Sequence, residues 1–245
     1  MMTENIFERY EKKYILSETQ YEGIMRFLSG KILEDEYSRA TVMSLYYDTP
    51  DHRIIRHSLE RPVYKEKLRV RCYGVLTRES EAFIELKKKY KGVVYKRRLS
   101  MSCAEARDFL KGNDTSSATE GTEQIAREIH AFCHNYPHIA PSILCSCDRY
   151  AVRDRTNEEL RYTFDHNLRG RTYDLDLCRG VYGEALTADG ACILEIKAPG
   201  AVPLELAGAL DRLQIYPHSF SKVGAAYEKL ILHKEKHLQE EETKC

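Results

Sequence analysis

Cations at alternating positions are the first feature of this sequence that could do chemistry. Residues 67–74 read KLRVRCYG, in which Lys67, Arg69 and Arg71 are each two positions apart. In a β-strand, residues two apart point to the same face, so these side chains would share one face and Leu68 and Val70 the other. Arginine donates paired hydrogen bonds to phosphate oxygens, and lysine supplies a mobile positive charge. The stretch therefore predicts a strand face that can bind phosphate.

Other predicted strands repeat this pattern, often with a glutamate beside the cation. For any one strand, the simplest interpretation is a polar face turned to solvent. Together, however, the cations would repel one another, because two like charges 4 Å apart cost about 4 kcal/mol at an effective dielectric constant of about 20. A bound polyanion would turn that repulsion into attraction, and glutamates among the cations suit a divalent metal that bridges phosphates. The side chains in this pattern are Glu11, Lys13, Arg69, Arg71, Glu85, Lys87, Lys96, Arg149, Arg161, Glu195 and Lys197.

Periodicity and capping residues predict the elements that must position these side chains. Ser17 with Gln20, and Ser102 with Glu105, form capping boxes that predict two helix starts, and the first helix is expected to reach Leu28. Residues 112–122 are small and polar and predict a loop. Further helices are predicted over 123–134, 204–213 and 221–238, the last with a charged tail. Strands are predicted over 6–16, 41–48, 64–73, 82–89, 93–101, 141–154, 160–167 and 192–198.

The order of these elements predicts an α+β fold. Its strands are mostly close neighbours in sequence, with helices between and after them, which favours an antiparallel sheet over a βαβ arrangement. We predict that about eight strands close into an antiparallel barrel, in which the polar faces line a basic tunnel and the apolar faces point outward, under the helices. We find no internal repeat and predict a single domain over residues 1–245.

Composition and charge exclude several classes of protein. The net charge is +0, from 38 basic and 38 acidic residues, whereas a generic nucleic-acid-binding protein is clearly basic, so we expect no nucleic-acid partner. No run approaches the ~18 consecutive apolar residues of a membrane span, and no leader sequence is recognisable. The 8 cysteines have no CxxC spacing and indicate free thiols. We therefore expect a cytoplasmic protein without a membrane segment.

Two patterns that could bind a metal by themselves are weak. Cys145 and Cys147 form a single CxC pair, and histidines and a cysteine cluster in HAFCHNYPH (130–138). The metalloprotease motif needs a glutamate after its first histidine, where this chain has Ala131, so the face of a surface helix is the better interpretation. Nothing resembles the phosphate loops GxxxxGK[ST] or GxGxxG. Phosphate would therefore have to be held by side chains.

Taken in order, the motifs resemble the VTC domain, the polyphosphate polymerase domain of the vacuolar transporter chaperone family. That family belongs to the triphosphate tunnel metalloenzymes, which fold as a closed antiparallel β-tunnel. The resemblance implies transfer of the terminal phosphate of ATP to a growing polyphosphate chain, with Mn²⁺ or Mg²⁺. The motifs occur in the family's order over most of the chain and are RYEKKY (9–14), SLYYDT (44–49), KLRVRCYG (67–74), FIELK (83–87), DRYA (148–151), LRYTFD (160–165), LEIK (194–197) and FSK (220–222).

The resemblance assigns roles to individual positions. Ser221 matches a phosphate contact, and Lys197 joins the residues expected to bind substrate. Glu195 matches the metal-binding glutamate, with Glu11 or Glu85 as possible helpers. The family's phosphate-binding cations match Lys13, Arg69, Arg71, Lys87, Arg149, Arg161 and Lys222, with Lys96 as a further match.

The sequence departs from the family pattern at two positions. The superfamily signature ExExK begins with a glutamate, but Arg9 occupies that position here. A cation in its place favours the polymerase branch over the hydrolase branch. The family can carry another cation three residues before Lys222, where this chain has Ser219, and His218 is a candidate to replace it.

Three other functions fit part of the pattern. A triphosphatase could use the same residues with water as the acceptor, and a non-catalytic module could bind polyphosphate or nucleotide. RNA binding fits the basic strand faces but not the net charge. The expected small-molecule partners are ATP, pyrophosphate and polyphosphate. Relatives in eukaryotes are tethered to membranes, so any such coupling here would need a membrane-protein partner that the sequence does not identify.

Overall fold

The computed structural model describes residues 9–74, 76–112 and 121–234. Residues 6–8 of the first predicted strand, residues 113–120 of the predicted loop and residues 235–238 of the last predicted helix lie outside the described residues. The strands are β1 (Arg9–Leu16), β2 (Ile32–Leu33), β3 (Arg39–Asp48), β4 (Tyr64–Tyr73), β5 (Glu81–Tyr90), β6 (Val93–Ser102), β7 (Ala140–Asp154), β8 (Arg161–Arg171), β9 (Glu184–Ala185) and β10 (Cys192–Pro199). The helices are α1 (Glu18–Leu28), α2 (Arg53–Leu59), α3 (Cys103–Leu110), α4 (Glu123–Asn135), α5 (Leu204–Arg212) and α6 (Lys222–Tyr227), with a 3₁₀ turn at Leu177–Arg179 and a π-helical turn at Glu228–Leu232.

Both predicted capping boxes are confirmed. At the start of α1, Gln20 N donates to Ser17 Oγ over 3.2 Å and Ser17 N donates to Gln20 Oε1 over 3.0 Å. At the start of α3, Glu105 N donates to Ser102 Oγ over 3.2 Å and Ser102 N donates to Glu105 Oε2 over 2.8 Å. Each box satisfies backbone N–H groups that a helix start leaves without partners.

Hydrogen bonds order the long strands as β1-β10-β8-β7-β3-β4-β5-β6, with β2 beside β7 and β9 beside β8. The strand registers that the structure gives are antiparallel, so the predicted α+β class with an antiparallel sheet is confirmed. Among the strands that the structure describes, the order is a linear path and the sheet is not closed. The predicted closed barrel is therefore not confirmed and stays a prediction.

The chain divides into two compact units, each assembled from three separate segments. The first unit comprises Met1–Ala40, Cys147–Leu168 and Thr187–Phe220, and the second comprises Thr41–Ser146, Arg169–Leu186 and Ser221–Cys245. Neither unit is a continuous stretch of chain, and the prediction of one domain over 1–245 stays a prediction. No helix in the described ranges combines the length and the apolar content that a membrane crossing requires.

In each unit, the apolar strand faces are buried against helices. In the first unit, Leu194 and Ile196 of β10 pack with Leu28 of α1 and Leu206 of α5. In the second unit, the core is built from β4, β5 and β6 with helices α3 and α4, and its buried side chains include Leu68, Val70, Leu86, Leu99, Phe109 and Ile129. The predicted faces of β4 are therefore correct: Leu68 and Val70 lie under helices.

Candidate functional site

The registers of β4, β5 and β6 place the predicted cations of the second unit on one face. Strands β5 and β6 are joined by the two-residue turn Lys91–Gly92, in which both residues have positive φ angles (46° and 89°). Such a turn fixes which residues of the two strands lie opposite each other. The cross-strand rows that result are Arg71–Phe83–Ser100, Arg69–Glu85–Arg98 and Lys67–Lys87–Lys96.

Glu85 is the centre of the arginine row, and its side chain is only 1% exposed. Its Oε2 accepts from Arg69 Nε (2.8 Å), and its Oε1 accepts from Arg98 Nε (2.9 Å) and lies 2.6 Å from Lys96 Nζ. Arg71 Nε lies 4.0 Å away. Burial opposes ionisation of this carboxyl, but Arg69 and the other cations outweigh it and hold the pKa of Glu85 well below its usual range. One carboxylate therefore fixes four cations.

Both arginines of β4 have second partners on β3. Arg69 Nη1 donates to Tyr46 Oη over 3.2 Å, and Arg71 Nε donates to Ser44 Oγ over 3.3 Å. Each guanidinium is therefore held from two sides while its other N–H groups can still donate. This arrangement orients the forks of Arg69 and Arg71 before any anion binds.

The neighbouring row, which we call the lysine row, consists of Lys67, Lys87 and Lys96. Like charges directly opposite each other in a sheet are destabilising, and this row contains no carboxylate of its own. Burial lowers the pKa of Lys96, and Arg98 and Arg69 lower it further, although Glu85 opposes the shift. A single carboxylate thus does not compensate the cations around it. The row is suited to an anion with repeating negative charge.

Ser221 and Lys222 lie at the start of α6, and Ser221 contacts the lysine row. Lys67 Nζ donates to Ser221 Oγ over 3.0 Å, and the same oxygen accepts from Gly224 N as the helix cap. Lys222 is half-buried in the first position of the helix. The structure thus brings Ser221 together with Lys67.

In the first unit, β1 and β10 bring two predicted lysines and two predicted glutamates together. The register pairs Lys13 with Glu195 and Glu11 with Lys197. Lys197 Nζ lies 2.8 Å from Glu195 Oε1, and Lys13 Nζ lies 3.6 Å from Glu195 Oε2 and 3.4 Å from Glu11 Oε1. Burial opposes the charge of Glu195, but Lys197 and Lys13 outweigh it and lower its pKa to about 2. The carboxylate is therefore ionised at any physiological pH.

The predicted pair of arginines in the first unit occupies two different environments. Arg149 Nε donates to Asp165 Oδ1 over 2.7 Å and Arg149 Nη2 to Asp165 Oδ2 over 2.9 Å, a two-pronged pairing with a carboxylate that is 2% exposed. Arg161 is exposed, lies opposite Lys197 in the register and donates to the carbonyl oxygen of Glu158 over 3.4 Å. Arg149 is thus held by the protein, whereas Arg161 points into solvent.

The backbone of His218 lies beside β1. Its backbone N–H donates to the carbonyl oxygen of Lys13 over 2.7 Å, and its residue is exposed. Lys13 Nζ also donates to the carbonyl oxygen of Phe220 over 3.4 Å. These two contacts fasten the segment before Ser221 to β1, and the phosphate contact suggested for the side chain of His218 stays a prediction.

Glu11 and Glu195 fit a divalent cation better than Glu85 does. Both carboxylates converge on the ammonium of Lys13, which shows that this position favours positive charge. Mg²⁺ is commonly held by one or two carboxylates, with phosphate and water oxygens completing its coordination. Glu85, in contrast, is surrounded by cations. Within the described ranges no three His, Cys, Asp or Glu side chains form a metal-binding group, so a metal here would need oxygen ligands from a substrate.

Sequence reasoning missed three residues that hold the site together. Arg98 shares a face with the predicted Lys96 and binds Glu85, Asp165 binds Arg149, and Tyr46 binds Arg69. Face alternation predicts that Arg98 shares the face of Lys96, two positions away, but it does not identify Glu85 as its partner. Nothing in the order of residues identifies the pairing of Arg149 with Asp165, because that contact depends on the register of strands.

Comparisons with known proteins place the chain among proteins of similar fold. The sequence profile of the VTC domain matches residues 8–231. A candidate adenylate cyclase from Bacillus halodurans has a similar structure, with a TM-score of 0.53 and 13% identity over 86% of this chain and 92% of that one. A candidate adenylyl cyclase from Hippeastrum, described as having a dominant triphosphatase activity, has a TM-score of 0.51 and 15% identity over 89% of this chain and 94% of that one. No curated protein sequence matches the chain.

Proposed function

Because this chain belongs to the VTC domain family, we propose that it is a phosphotransferase that moves the terminal phosphate of ATP onto a growing chain of inorganic polyphosphate. The observation that carries this proposal is the lysine row of Lys67, Lys87 and Lys96, which lies directly beside the arginine row held by Glu85. A linear polyphosphate presents negative charge at regular intervals, as the rows present positive charge. The proposed small-molecule partners are ATP, pyrophosphate and polyphosphate, with ADP as the second product, and a cytoplasmic location stays a prediction.

The first step that the residues support is binding of the phosphate chain. Arg69 and Arg71 would donate hydrogen bonds to phosphate oxygens from guanidinium groups that are already oriented. The three lysines would pair their charges with successive phosphates of the polymer. Each hydrogen bond to a charged group contributes roughly 1.5–3 kcal/mol. Binding would also relieve the repulsion within the lysine row. We assign this binding to the second unit.

Glu195 and Glu11 would hold the proposed metal, Mn²⁺ or Mg²⁺. When bound, such an ion neutralises phosphate oxygens and withdraws charge from the bond that breaks. Lys13 and Lys197 already neutralise Glu195, so on metal binding they would become available to phosphate oxygens. Arg161 and Lys222 would serve as further phosphate contacts.

The chemistry needs positioning and charge neutralisation rather than a base. A terminal phosphate oxygen of the acceptor attacks the γ-phosphorus of ATP, the bond between that phosphorus and the β–γ bridging oxygen breaks, and ADP leaves. The attacking oxygen is already ionised, so it does not require a residue to remove a proton. Charge accumulates on the non-bridging oxygens in the transition state, where fixed cations stabilise it most.

The proposal is tested by incubating the protein with ATP and Mn²⁺ and separating polymer from free phosphate. We expect acid-labile polyphosphate. Lys87→Ala should lower the rate about 10- to 100-fold, because losing a charged hydrogen bond of roughly 1.5–3 kcal/mol corresponds to that range. Lys88→Ala is the matched control: it is the next residue of β5, lies opposite Glu66 and Tyr95 on the other face, and should change the rate less than twofold. Equal effects of both substitutions would contradict the assignment.

A triphosphatase is the second candidate, and the activity described for the Hippeastrum protein favours testing it. Free phosphate without polymer, with the same loss in Lys87→Ala, would replace the polymerase by this function. A third outcome is binding of polyphosphate that is unaffected by Glu195→Gln, with no turnover in Mn²⁺ or Mg²⁺. That result would identify a non-catalytic binding module.

A further inference from the structure

Three cysteine thiols of the second unit meet at a place that the proposed function does not use. Cys72 lies on β4, Cys103 is the first residue of α3, and Cys178 lies in the 3₁₀ turn. The sulfur atoms of Cys72 and Cys103 are 3.5 Å apart, and the thiol of Cys178 lies close enough to that of Cys103 for each to shift the pKa of the other. Cys103 is thus the middle member of the three, which we call the thiol cluster.

Solvent reaches the cluster from one side. Cys72 is fully buried, whereas Cys103 and Cys178 are half-buried. The turn that carries Cys178 is fixed by the buried guanidinium of Arg171, which donates to the carbonyl oxygens of Asp174, Asp176, Gly180 and Tyr182 over 3.0–3.1 Å. The thiols are therefore held in contact by the fold and open to small molecules at Cys103.

The environment favours a thiolate at Cys103. Its hydrogen bond with Cys72 lowers its pKa, as does the neighbouring thiol of Cys178, while burial and Asp176 oppose the shift. The start of a helix also favours negative charge on a cysteine at this position. The hydrogen bond with Cys103, together with burial, raises the pKa of Cys72. Within this pair, Cys103 is therefore the more acidic thiol.

Metal binding does not account for the cluster, because no three His, Cys, Asp or Glu side chains of the described chain form a metal-binding group. Disulfide formation does fit its geometry. A disulfide bond is about 2.05 Å long, so two sulfurs already 3.5 Å apart need only a small movement to bond. In a reducing compartment such bonds, when they occur, are usually transient and redox-sensing.

We propose that Cys103 is a redox-active thiol that forms a reversible disulfide with Cys72 by exchange with a low-molecular-weight disulfide. The Cys103 thiolate attacks one sulfur of the small disulfide, breaking its S–S bond and releasing one thiolate. Cys72 then loses its proton to solvent and attacks the Cys103 sulfur, releasing the second thiolate. The two cysteines lose two electrons in total, and the small disulfide gains them as two thiols.

The bond would join the two ends of the segment that contains β5 and β6. Cys72 is the second-to-last residue of β4, and Cys103 is the first residue after β6. The enclosed segment carries Glu85, Lys87 and Lys96. Oxidation would therefore restrain the strands that carry the lysine and arginine rows, although the thiol chemistry itself does not depend on the proposed function.

The test uses the full folded chain, reduced, freed of reductant and incubated with oxidised glutathione. After alkylation and digestion, we expect a peptide pair joined through Cys72 and Cys103, loss of two of the 8 thiols, and reversal by dithiothreitol. Cys103→Ser should abolish this loss. Cys178→Ser should retain the link. Cys192→Ala, which changes a buried cysteine of the other unit, is the matched control and should leave the link unchanged.

Cys72→Ala should trap Cys103 as its mixed disulfide with glutathione. Because Cys72 is buried, circular dichroism is used to check that this variant folds. If it does not fold, we instead measure how fast iodoacetamide alkylates Cys103 in the wild-type chain. Cys103 should react faster than Cys72 and Cys178. The proposal is overturned if no link forms in the folded chain, if Cys103 joins Cys178 instead, or if Cys103 is the slowest of the three to be alkylated.

Discussion

Replacing Glu85 by glutamine removes the charge that holds the cations of the second unit. Glutamine has nearly the same shape, but its amide group would turn two N–H donors toward groups that are themselves donors. Arg69, Arg98 and Lys96 would lose the carboxylate oxygens that they contact at 2.5–2.9 Å. Glu85→Gln should therefore destabilise the unit without leaving a cavity.

The magnitude follows from which partners are buried. Breaking a buried ion pair costs roughly 3–5 kcal/mol, since the remaining charge is left without compensation. Arg69 is the most enclosed of the three direct partners, whereas Lys96 and Arg98 are 43% and 39% exposed, so solvent screens their share. We expect a loss of about 3 kcal/mol, a large fraction of the roughly 5–15 kcal/mol that stabilises a typical protein.

Urea unfolding followed by circular dichroism measures this loss. The matched control is Glu81→Gln, an exposed glutamate on the same face of β5 that accepts from Ser100 Oγ, and it should change the free energy of unfolding by no more than about 0.5 kcal/mol. The pH dependence adds a second readout. Because the pKa of Glu85 is lowered on folding, its stabilisation is complete above the unfolded value near 4.3 and is lost as pH falls below that value. The Glu85→Gln variant should lack this part of the acid sensitivity.

Equal stability of Glu85→Gln and Glu81→Gln would refute the idea that Glu85 organises the cations. The same measurement with Mn²⁺ addresses the metal role predicted from sequence. If Mn²⁺ raised the unfolding midpoint of the wild type and Glu85→Gln abolished that rise, Glu85 would be a metal ligand, and the positioning role would be wrong.

Further predictions concern the first unit. Glu195→Gln should lower Mn²⁺-dependent turnover by about 100-fold or more, since a metal contributes several kcal/mol to phosphoryl transfer, and it should abolish any Mn²⁺-induced rise of the unfolding midpoint; normal turnover would exclude Glu195 as a ligand. Because its pKa is about 2, wild-type turnover should not decline between pH 8 and 5 through protonation of Glu195. Its stabilisation is present above the unfolded value near 4.3 and is lost as pH falls toward 2. Arg149→Ala should cost roughly 3–5 kcal/mol of unfolding free energy, because it removes the guanidinium that pairs with the buried carboxylate of Asp165. Arg161→Ala should cost no more than about 0.5 kcal/mol and raise the KM for polyphosphate; a reversed order of the two losses would contradict the assigned environments.

The alternation of side chains made much of the fold predictable. A strand has a period of two, so the positions of Leu68 and Val70 under helices followed from the spacing of Arg69 and Arg71. The capping boxes were equally local, since Ser17 and Gln20 are close in sequence. Features that depend on a few neighbouring residues were therefore predicted correctly.

Features that depend on register or on distant partners were not predicted. Helix α2 begins after His52, which has a left-handed backbone (φ 56°) and provides no side-chain cap. Its first N–H groups are satisfied instead by Asp48 at the end of β3, which accepts from Ile54 N and Ile55 N over 2.9 and 3.0 Å. A search for a capping residue next to the helix misses such a start. For the same reason, the sequence alone did not show that the strand register surrounds Glu85 with cations, and a metal role was predicted for it instead.

The zero net charge of the chain limits the distance over which the lysine row could attract the proposed polyanion. The net charge is +0, so a distant polyanion meets a neutral body. At physiological ionic strength the field of a charge fades over about 8 Å. If the lysine row binds polyphosphate as proposed, only an anion that comes that close to Lys67, Lys87 and Lys96 would be attracted, and a thin, flexible phosphate chain would approach in this way more easily than a stiff duplex. A binding face that selects its anion by close approach rather than by long-range attraction would bind polyphosphate even where nucleic acids are abundant.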